Sequence, residues 1–318
     1  MSPLVKRREM LGSTGATAIG ALGAQAAASP RAGLSAAGAR RKTFLFVHGA
    51  WHCSIHWNLV VEQLIAMGHA AIAIDLPGSG IKAPIPKALL SNDPGALASE
   101  PSALRDIGLA DYAEAALRVL EGLAKNGSRV TLVGHSFGGQ TITRAAECLP
   151  HLVERLVYVT AFCPALQPGG SVDAYAALPE NASSQIGPVV VGDPATIGAY
   201  RLNPHSADRA YLELCRKAFY NDLPIDDFLR FAAFLCADTP TKASADDGRG
   251  TPERWGRVPR SYVRCTRDQA LPLALQDRMI READHMTPAN RFDVHTLESS
   301  HSPFASMPDK LAGLLANL

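Results

Sequence analysis

Residues 130–139 of the chain read VTLVGHSFGG, a β-branched and aliphatic run that ends in a Gly-x-Ser-x-Gly motif. A helix-compatible segment follows at residues 140–149, so the serine stands at a strand-to-helix turn. Such a turn strains the backbone of its central residue, and neighbours without a side chain are needed to avoid collision. Gly134 and Gly138 supply them on either side of Ser136. The stretch therefore predicts a strand, a sharp turn that exposes a nucleophilic serine, and a helix.

Strands and helices alternate along most of the rest of the chain. Strands are predicted at residues 43–47, 70–74, 153–160, 260–265 and 292–297, and helices at residues 54–67, 109–125, 273–281 and 303–317. Stretches rich in apolar and β-branched residues mark the strands, and apolar positions at helical spacing mark the helices. This alternation predicts an α/β fold with a doubly wound, mostly parallel sheet that helices cover on both faces.

Two segments depart from the alternation. Residues 81–105 are rich in Pro, Ser and Ala and are predicted to form a long loop. Residues 164–257 are rich in Pro, Asp and Tyr and contain helical patterns at 206–220 and 225–237. We expect this second segment to be a largely helical cap, inserted into a sheet domain that spans residues 41–318.

Three side chains that suit nucleophilic catalysis follow three of the strands. A serine hydroxyl needs a base, and the base needs a partner that fixes its tautomer. Asp268 follows the strand at 260–265, and His301 follows the strand at 292–297. Both therefore come from carboxyl ends of strands, where a doubly wound sheet collects its functional groups. The chain order predicts Ser136 as nucleophile, Asp268 as acid and His301 as base.

His285 is the alternative base. Only 17 positions separate it from Asp268, and the helix predicted at 273–281 occupies most of them. No room then remains for the strand that must precede the base, so His285 is predicted to lie in a surface loop. A second alternative is that Ser136 merely stands in a glycine-rich turn, which its strand and helix context argues against.

Two backbone N–H groups are needed to bind the oxyanion of a tetrahedral intermediate. Phe137 supplies one because it directly follows the nucleophile, and Ala50 is expected to supply the other from the loop after the first strand. His48 is expected to brace that loop. Trp51 and Phe162 are candidates for the substrate pocket, although aromatic residues serve equally well in a core.

Composition argues against several other classes of function. The net charge is +1 and no basic stripe occurs, which disfavours a nucleic-acid partner, and no apolar run is long enough to predict a membrane span. His48, His52 and His56 are four apart but begin at a strand end, so they are not expected to share a face and bind a metal. No cofactor is expected, and the six cysteines, which form no CxxC pair, are expected to be mostly free thiols.

The first 28 residues have the pattern of an export signal. Lys6-Arg7-Arg8 precede a weakly apolar Gly/Ala/Thr stretch, and residues 26–28 supply small side chains for cleavage. An arginine pair before such a core resembles a twin-arginine signal, which exports folded proteins in bacteria. Residues 1–40 are therefore expected to be an export signal and linker, and the protein to be periplasmic or extracellular. The alternative is a disordered Ala/Gly-rich tail.

Four stretches resemble the α/β-hydrolase superfamily, most closely the branch of plant methyl esterases, hydroxynitrile lyases and bacterial esterase homologues. They are residues 46–51 (FVHGAW), residues 73–80 (AIDLPGSG), the stretch at 130–139, and Asp268 with the QDRMI sequence at 276–280. The similarity covers about residues 43–317. In that branch an Asp eight positions before such a Gln is the triad acid, which implies the same role for Asp268.

The resemblance implies an α/β-hydrolase fold and an exported serine esterase that cleaves a small-molecule carboxylic ester or lactone. Hydrolysis of another activated carbonyl, including a C–C bond, is an alternative on the same triad. A hydroxynitrile lyase is disfavoured. Lyases of this branch resemble one another in carrying a lysine directly after the catalytic histidine and a threonine in the oxyanion loop. This chain has Ser302 and Gly49 at those two positions. A ligand-binding module on the same fold is the non-enzymatic alternative.

Overall fold

Eight strands lie within the part of the chain that the computed structural model describes, residues 41–166 and 169–318. They are β1 (Thr43–Val47), β2 (Ala70–Ile74), β3 (Val130–His135), β4 (Val153–Val159), β5 (Ala199–Arg201), β6 (Asp238–Pro240), β7 (Arg260–Cys265) and β8 (Asp293–Leu297). Six form a parallel sheet in the order β2-β1-β3-β4-β7-β8, while β5 and β6 pair antiparallel with each other. The predicted export signal and linker, residues 1–40, lie outside the described residues.

Helices cover both faces of this sheet, which confirms the predicted fold class. They are α1 (Asn58–Ala66), α2 (Lys87–Leu90), α3 (Pro94–Leu97), α4 (Leu109–Ala124), α5 (Gly138–Cys148), α6 (Val172–Ala176), α7 (Pro194–Ile197), α8 (Arg209–Phe219), α9 (Ile225–Ala232), α10 (Thr241–Ala245), α11 (Leu273–Met286), α12 (Pro303–Ser306) and α13 (Pro308–Asn317). Within residues 41–166 and 169–318, none of them combines the length and the apolar character that crossing a membrane requires.

The core lies on both faces of the sheet. The central strands β1, β3, β4 and β7 are almost wholly buried, whereas the edge strands β2 and β8 are partly exposed. Successive side chains of a strand point to opposite faces. On β1, Leu45 and Val47 accordingly join a cluster with α4, α5 and α11, while Phe44 and Phe46 join another with α1 and α13.

Two helices differ from their predicted bounds. α11 continues to Met286, because the chain meets no helix-breaking proline until Pro288. The prediction that His285 lies in a surface loop is therefore wrong: it stands in the last turn of α11, with its side chain exposed. The helix predicted at 303–317 is divided into α12 and α13, and Pro308 begins the second of them.

The segment between β4 and β7 contains α6 to α10 together with the antiparallel pair of β5 and β6, which the sequence did not predict. Each of these strands has three residues, too few for a periodic pattern. Arg201 of β5 pairs with Asp238 of β6 at 2.7 Å, and both side chains are buried. The same guanidinium donates to the carbonyl oxygens of Leu97 and Glu100. It thereby fixes the segment at 81–105, which contains α2 and α3 rather than only loop.

The order of the strands reverses between β1 and β3, since the chain leaves β1 for β2 on one side and returns to β3 on the other. Ligands bind at such a point, outside the carboxyl ends of the strands, because the diverging connections leave a crevice there. β1 ends at Val47 and β3 ends at His135. The loop that contains Gly49 and the turn at Ser136 therefore lie beside the same crevice.

Candidate active site

Ser136 occupies the sharp turn between β3 and α5. Its φ of +49° lies in the left-handed region, which residues other than glycine rarely adopt. Gly138 is required behind it, because a Cβ there would lie 2.5 Å from the carbonyl oxygen of His48. The Ser136 side chain lines a cavity beyond the carboxyl edge of the sheet. The strand, turn and helix predicted around this serine are all present.

Asp268 and His301 form a buried pair beside this turn. His301 Nδ1 lies 2.6 Å from Asp268 Oδ2, and both side chains are almost completely buried. The other carboxylate oxygen, Oδ1, accepts the backbone N–H groups of Ala270 and Leu271 at 2.7 and 2.8 Å. Thr160 donates its hydroxyl to Oδ2. Four donors therefore hold the Asp268 carboxylate in one orientation, which in turn fixes the imidazole ring of His301.

The hydrogen bond to Asp268 determines the tautomer of His301. An ionised carboxylate can only accept, so Nδ1 carries the hydrogen and Nε2 is left as an acceptor. His301 lines the same cavity as Ser136. Behind it, His135 donates from Nε2 to the His301 carbonyl oxygen at 2.8 Å and so fixes the backbone of this residue. A free acceptor nitrogen on the cavity that Ser136 also lines is what a serine nucleophile requires of its base.

The loop after β1 approaches Ser136 very closely. A Cβ on Gly49 would lie 2.7 Å from the Ser136 Cβ, so only glycine fits. The Gly49 carbonyl oxygen accepts a hydrogen bond from His48 Nδ1 at 2.8 Å, and Leu76 N–H donates to His48 Nε2 at 3.1 Å. Because a trans peptide points its C=O and N–H in opposite directions, this contact turns the Ala50 N–H away from His48.

Ala50 and Phe137 both line the cavity. Phe137 directly precedes α5, and the first N–H groups of a helix have no partner within it. Its N–H and that of Ala50 are therefore the two donors that the geometry offers for an oxyanion at Ser136. Trp51 and Phe162, the candidates for the substrate pocket, also lie on the wall of this cavity.

Trp51 is held in place by the segment between β4 and β7. Its φ of +59° is left-handed, and three hydrogen bonds hold the residue there. Its backbone N–H donates to Thr239 Oγ1 at 2.9 Å, its indole N–H donates to the Tyr200 carbonyl at 2.8 Å, and its carbonyl accepts from the N–H of Cys236 at 2.7 Å. The β5–β6 pair and Cys236 thus fix the residue that follows Ala50.

The cavity that these residues enclose has a volume of about 130 Å³. Most of its lining side chains are apolar, and they include Val172, Ile186, Phe219 and Leu271. A larger cavity of about 660 Å³ lies elsewhere, between the start of α1 and residues 80–90. Neither Ser136 nor His301 lines that larger cavity, so the smaller one is the candidate site.

A group of buried histidines lies behind the site. Burial lowers the pKa of His48 and lowers those of His52 and His135 far below the usual histidine value, and it lowers the pKa of His56 to about 4. These four side chains are therefore neutral at physiological pH. Among residues 41–166 and 169–318, no group of three or more His, Cys, Asp or Glu side chains is arranged to hold a metal ion. All six cysteines are free thiols, and only Cys148 is exposed.

Sequence reasoning missed two contributors to the site and misplaced a third residue. Thr160 directly follows β4, and this position at a strand end was a usable signal. His135 lies within the quoted motif, but nothing in the motif indicates that it binds the backbone of His301. His285, the rejected alternative, lines cavities at the exposed end of α11 that contain none of the proposed catalytic residues.

Comparisons with known families, proteins and solved structures give matches that agree with one another. The model of the alpha/beta hydrolase family matches residues 44–314. Methylesterase 7 of Arabidopsis thaliana is 28% identical over 291 residues, which cover 87% of this chain and 96% of that protein. Methylesterase 18 of the same plant is 30% identical over 275 residues, covering 84% and 93%. The crystal structure of a pyrethroid hydrolase has a TM-score of 0.65 and 24% identity, covering 87% of this chain and 97% of that one, and so shares the fold.

Proposed function

Since the chain belongs to the α/β-hydrolase family, in the branch of the plant methylesterases, we propose that it is a serine esterase that works through an acyl-enzyme on Ser136. The observation that carries the proposal is the buried pair of His301 and Asp268, 2.6 Å apart, on the same cavity as a serine in a left-handed turn. Strained backbone of this kind persists where the surroundings enforce it, and it concentrates at functional sites.

The residues perform the reaction in two steps. The Ser136 oxygen attacks the ester carbonyl while His301 Nε2 takes the hydroxyl proton, and the N–H groups of Ala50 and Phe137 bind the oxyanion. His301 then gives this proton to the departing alcohol. Water repeats the sequence on the acyl-enzyme, so the acid leaves and Ser136 regains its hydrogen. Asp268 stabilises the imidazolium that forms in each step and keeps its ring oriented.

The small cavity and the relatives together support a small ester. A cavity of about 130 Å³ is close to the engineered cavity of about 150 Å³ that accommodates benzene. The relatives carry the name methylesterase, which supports a methyl ester whose acyl part is no larger than about one ring. A lactone of similar size fits the same chemistry.

Labelling with a fluorophosphonate probe tests this function directly. We expect the purified protein to be labelled at Ser136, as located by peptide mass spectrometry, and to hydrolyse p-nitrophenyl acetate and methyl benzoate. The probe mimics the tetrahedral intermediate and reacts only with an activated serine. A Ser136→Ala variant is the control and should be neither labelled nor active. Absence of labelling in the folded wild-type protein would favour a binding module instead.

We further propose that the enzyme is exported through a twin-arginine signal. The Arg7-Arg8 pair and the Gly- and Ala-rich stretch after it support this route. The six free thiols are also compatible with it, because a protein that folds before export needs no disulfide to mature.

Changing Arg7 and Arg8 together to lysine in the native host should trap active precursor inside the cell. Lysine keeps the positive charge, so a loss of export would report recognition of the arginine pair rather than of charge. Activity in cell fractions and the mature N-terminus, expected near residues 26–28, are the measurements. Unchanged export of the variant, or an exported protein that still begins at Ser2, would contradict the signal.

A further inference from the structure

One carboxylate lies on the wall of the cavity that Ser136 and His301 line. It belongs to Asp173, in the first turn of α6. The rest of the wall is mostly apolar, and a charged group in such surroundings is unfavourable unless a partner faces it. The proposed ester hydrolysis makes no use of this side chain.

Two hydroxyl groups already bind Asp173, and both bind the same oxygen. Tyr200 Oη donates to Oδ1 at 2.8 Å, and Ser244 Oγ also donates to Oδ1. Burial, followed by the neighbouring Asp173, raises the pKa of Tyr200 to about 12, so this hydroxyl keeps the proton that it donates. Among the described residues, no hydrogen bond ends on Oδ2 and no cationic side chain pairs with this carboxylate.

This arrangement leaves Oδ2 as an unused acceptor on a residue that lines the cavity. The hydrogens of Tyr200 and Ser244 are directed into Asp173, and an ionised carboxylate can only accept. We propose that Asp173 determines specificity, so that the site prefers esters whose cavity-filling group carries a hydroxyl or ammonium donor for Oδ2 and disfavours a carboxylate there. The proposal rests on the esterase function proposed above and names the substrate class for that site.

The size of the cavity and the cost of an unpaired acceptor set the expected effect. A volume of about 130 Å³ leaves room for roughly one ring that carries the donor. A site built to bind a substrate hydroxyl rejects analogues without it by as much as about 10⁴-fold when it is fully buried. Asp173 is only half-buried, so we expect a preference of about tenfold or more in kcat/KM.

Matched esters test the preference. Methyl 3- and 4-hydroxybenzoate are compared with the 3- and 4-methoxy esters. The methoxy esters keep an oxygen attached to the ring but lack the O–H group that donates a hydrogen bond. The monomethyl esters of isophthalic and terephthalic acid place a carboxylate at the same two positions. The readout is the hydroxy-to-methoxy ratio of kcat/KM within each protein, so a general change in activity cancels.

Asp173→Asn is the informative variant. Asparagine keeps an oxygen for Tyr200 and Ser244, but it replaces the free acceptor with an N–H donor. The ratio should fall to about one or below, and kcat/KM for the carboxylate esters should rise by about tenfold or more. Asp226→Asn makes the same change at an exposed position of α9 and should keep the wild-type ratio. Thermal unfolding of both variants checks that the fold is retained.

Two results would overturn the proposal while leaving the esterase function intact. One is a wild-type ratio near one, and the other is a ratio that Asp173→Asn leaves unchanged. Either would show that Asp173 only fastens α6 to Tyr200 and Ser244. A wild-type protein that neither hydrolyses any of these esters nor reacts with the fluorophosphonate probe would refute the esterase function, and the proposal would fall with it.

Discussion

Ser136→Ala and His301→Ala are each expected to lower kcat by at least about 10³-fold while the protein remains folded. Without the Ser136 oxygen no acyl-enzyme can form, and without His301 nothing accepts the hydroxyl proton. Alanine keeps the Cβ that Ser136 already carries in its left-handed turn, so that variant should unfold at nearly the wild-type temperature. The measurements are steady-state kinetics on p-nitrophenyl acetate and thermal unfolding.

The double variant and a second histidine sharpen this test. When two residues act as one unit, removing both lowers kcat little more than removing either one. Ser136→Ala/His301→Ala should therefore be about as inactive as either single variant. His285→Ala changes an exposed histidine outside the cavity and should alter kcat by less than about threefold. An inactive His285→Ala together with an active His301→Ala would show that the base has been assigned to the wrong histidine.

Unfolding in acid is expected to be unusually steep. Burial depresses the pKa of His48, His52, His56 and His135 in the folded state. The unfolded chain binds a proton at each of them as the pH falls below about 6.5, whereas the folded protein does not. Stability is therefore lost as the pH decreases. Each histidine contributes at most about 1.4 kcal/mol per pH unit, against about 5–15 kcal/mol for a whole domain.

Urea unfolding at about pH 7.5, 6 and 5 measures how the free energy of unfolding changes with pH, and this slope counts the protons taken up on unfolding. His56→Gln removes one such group and should lower the slope by about one proton in the interval from about pH 6 to pH 5. The contribution of His56 should end near pH 4, where the folded protein also binds the proton. His151→Gln alters an exposed histidine and serves as the control. Equal slopes for wild-type protein and His56→Gln would contradict a neutral, buried His56.

The sheet and the three proposed catalytic residues could be predicted because their signals are local. β1, β2 and β7 have the predicted bounds. β1 and β2 are apolar runs with clear ends, and β7 lies between Pro259 and a polar stretch at residues 266–268. Ser136 carries a motif, and Asp268 and His301 each follow a strand that the sequence already indicated. Parallel strands bring their carboxyl ends to one edge, so placing the strands placed these side chains near one another.

The remainder depends on contacts that no short stretch encodes. Asp173 reaches the cavity because Tyr200 and Ser244, distant in the chain, hold α6 against it. Strands β5 and β6 meet at the buried ion pair of Arg201 and Asp238, and neither residue stands in a periodic pattern. α11 is longer than predicted because its last turn is polar and does not continue the apolar pattern of the helix. Pro288 was the more reliable signal for the end of the helix.

The three hydrogen bonds of Trp51 bear on how this enzyme can be redesigned. Exchanging the segment between β4 and β7 for that of a relative is an obvious route to a new substrate range. Here Thr239, Tyr200 and Cys236 of that segment form hydrogen bonds with Trp51, the residue next to Ala50. A chimera that replaces it alone would leave Trp51 strained and unsupported, so the graft must carry the loop at residues 48–53 with it. The loop at residues 48–53 and the segment between β4 and β7 therefore have to be exchanged together, although more than a hundred residues of chain lie between them.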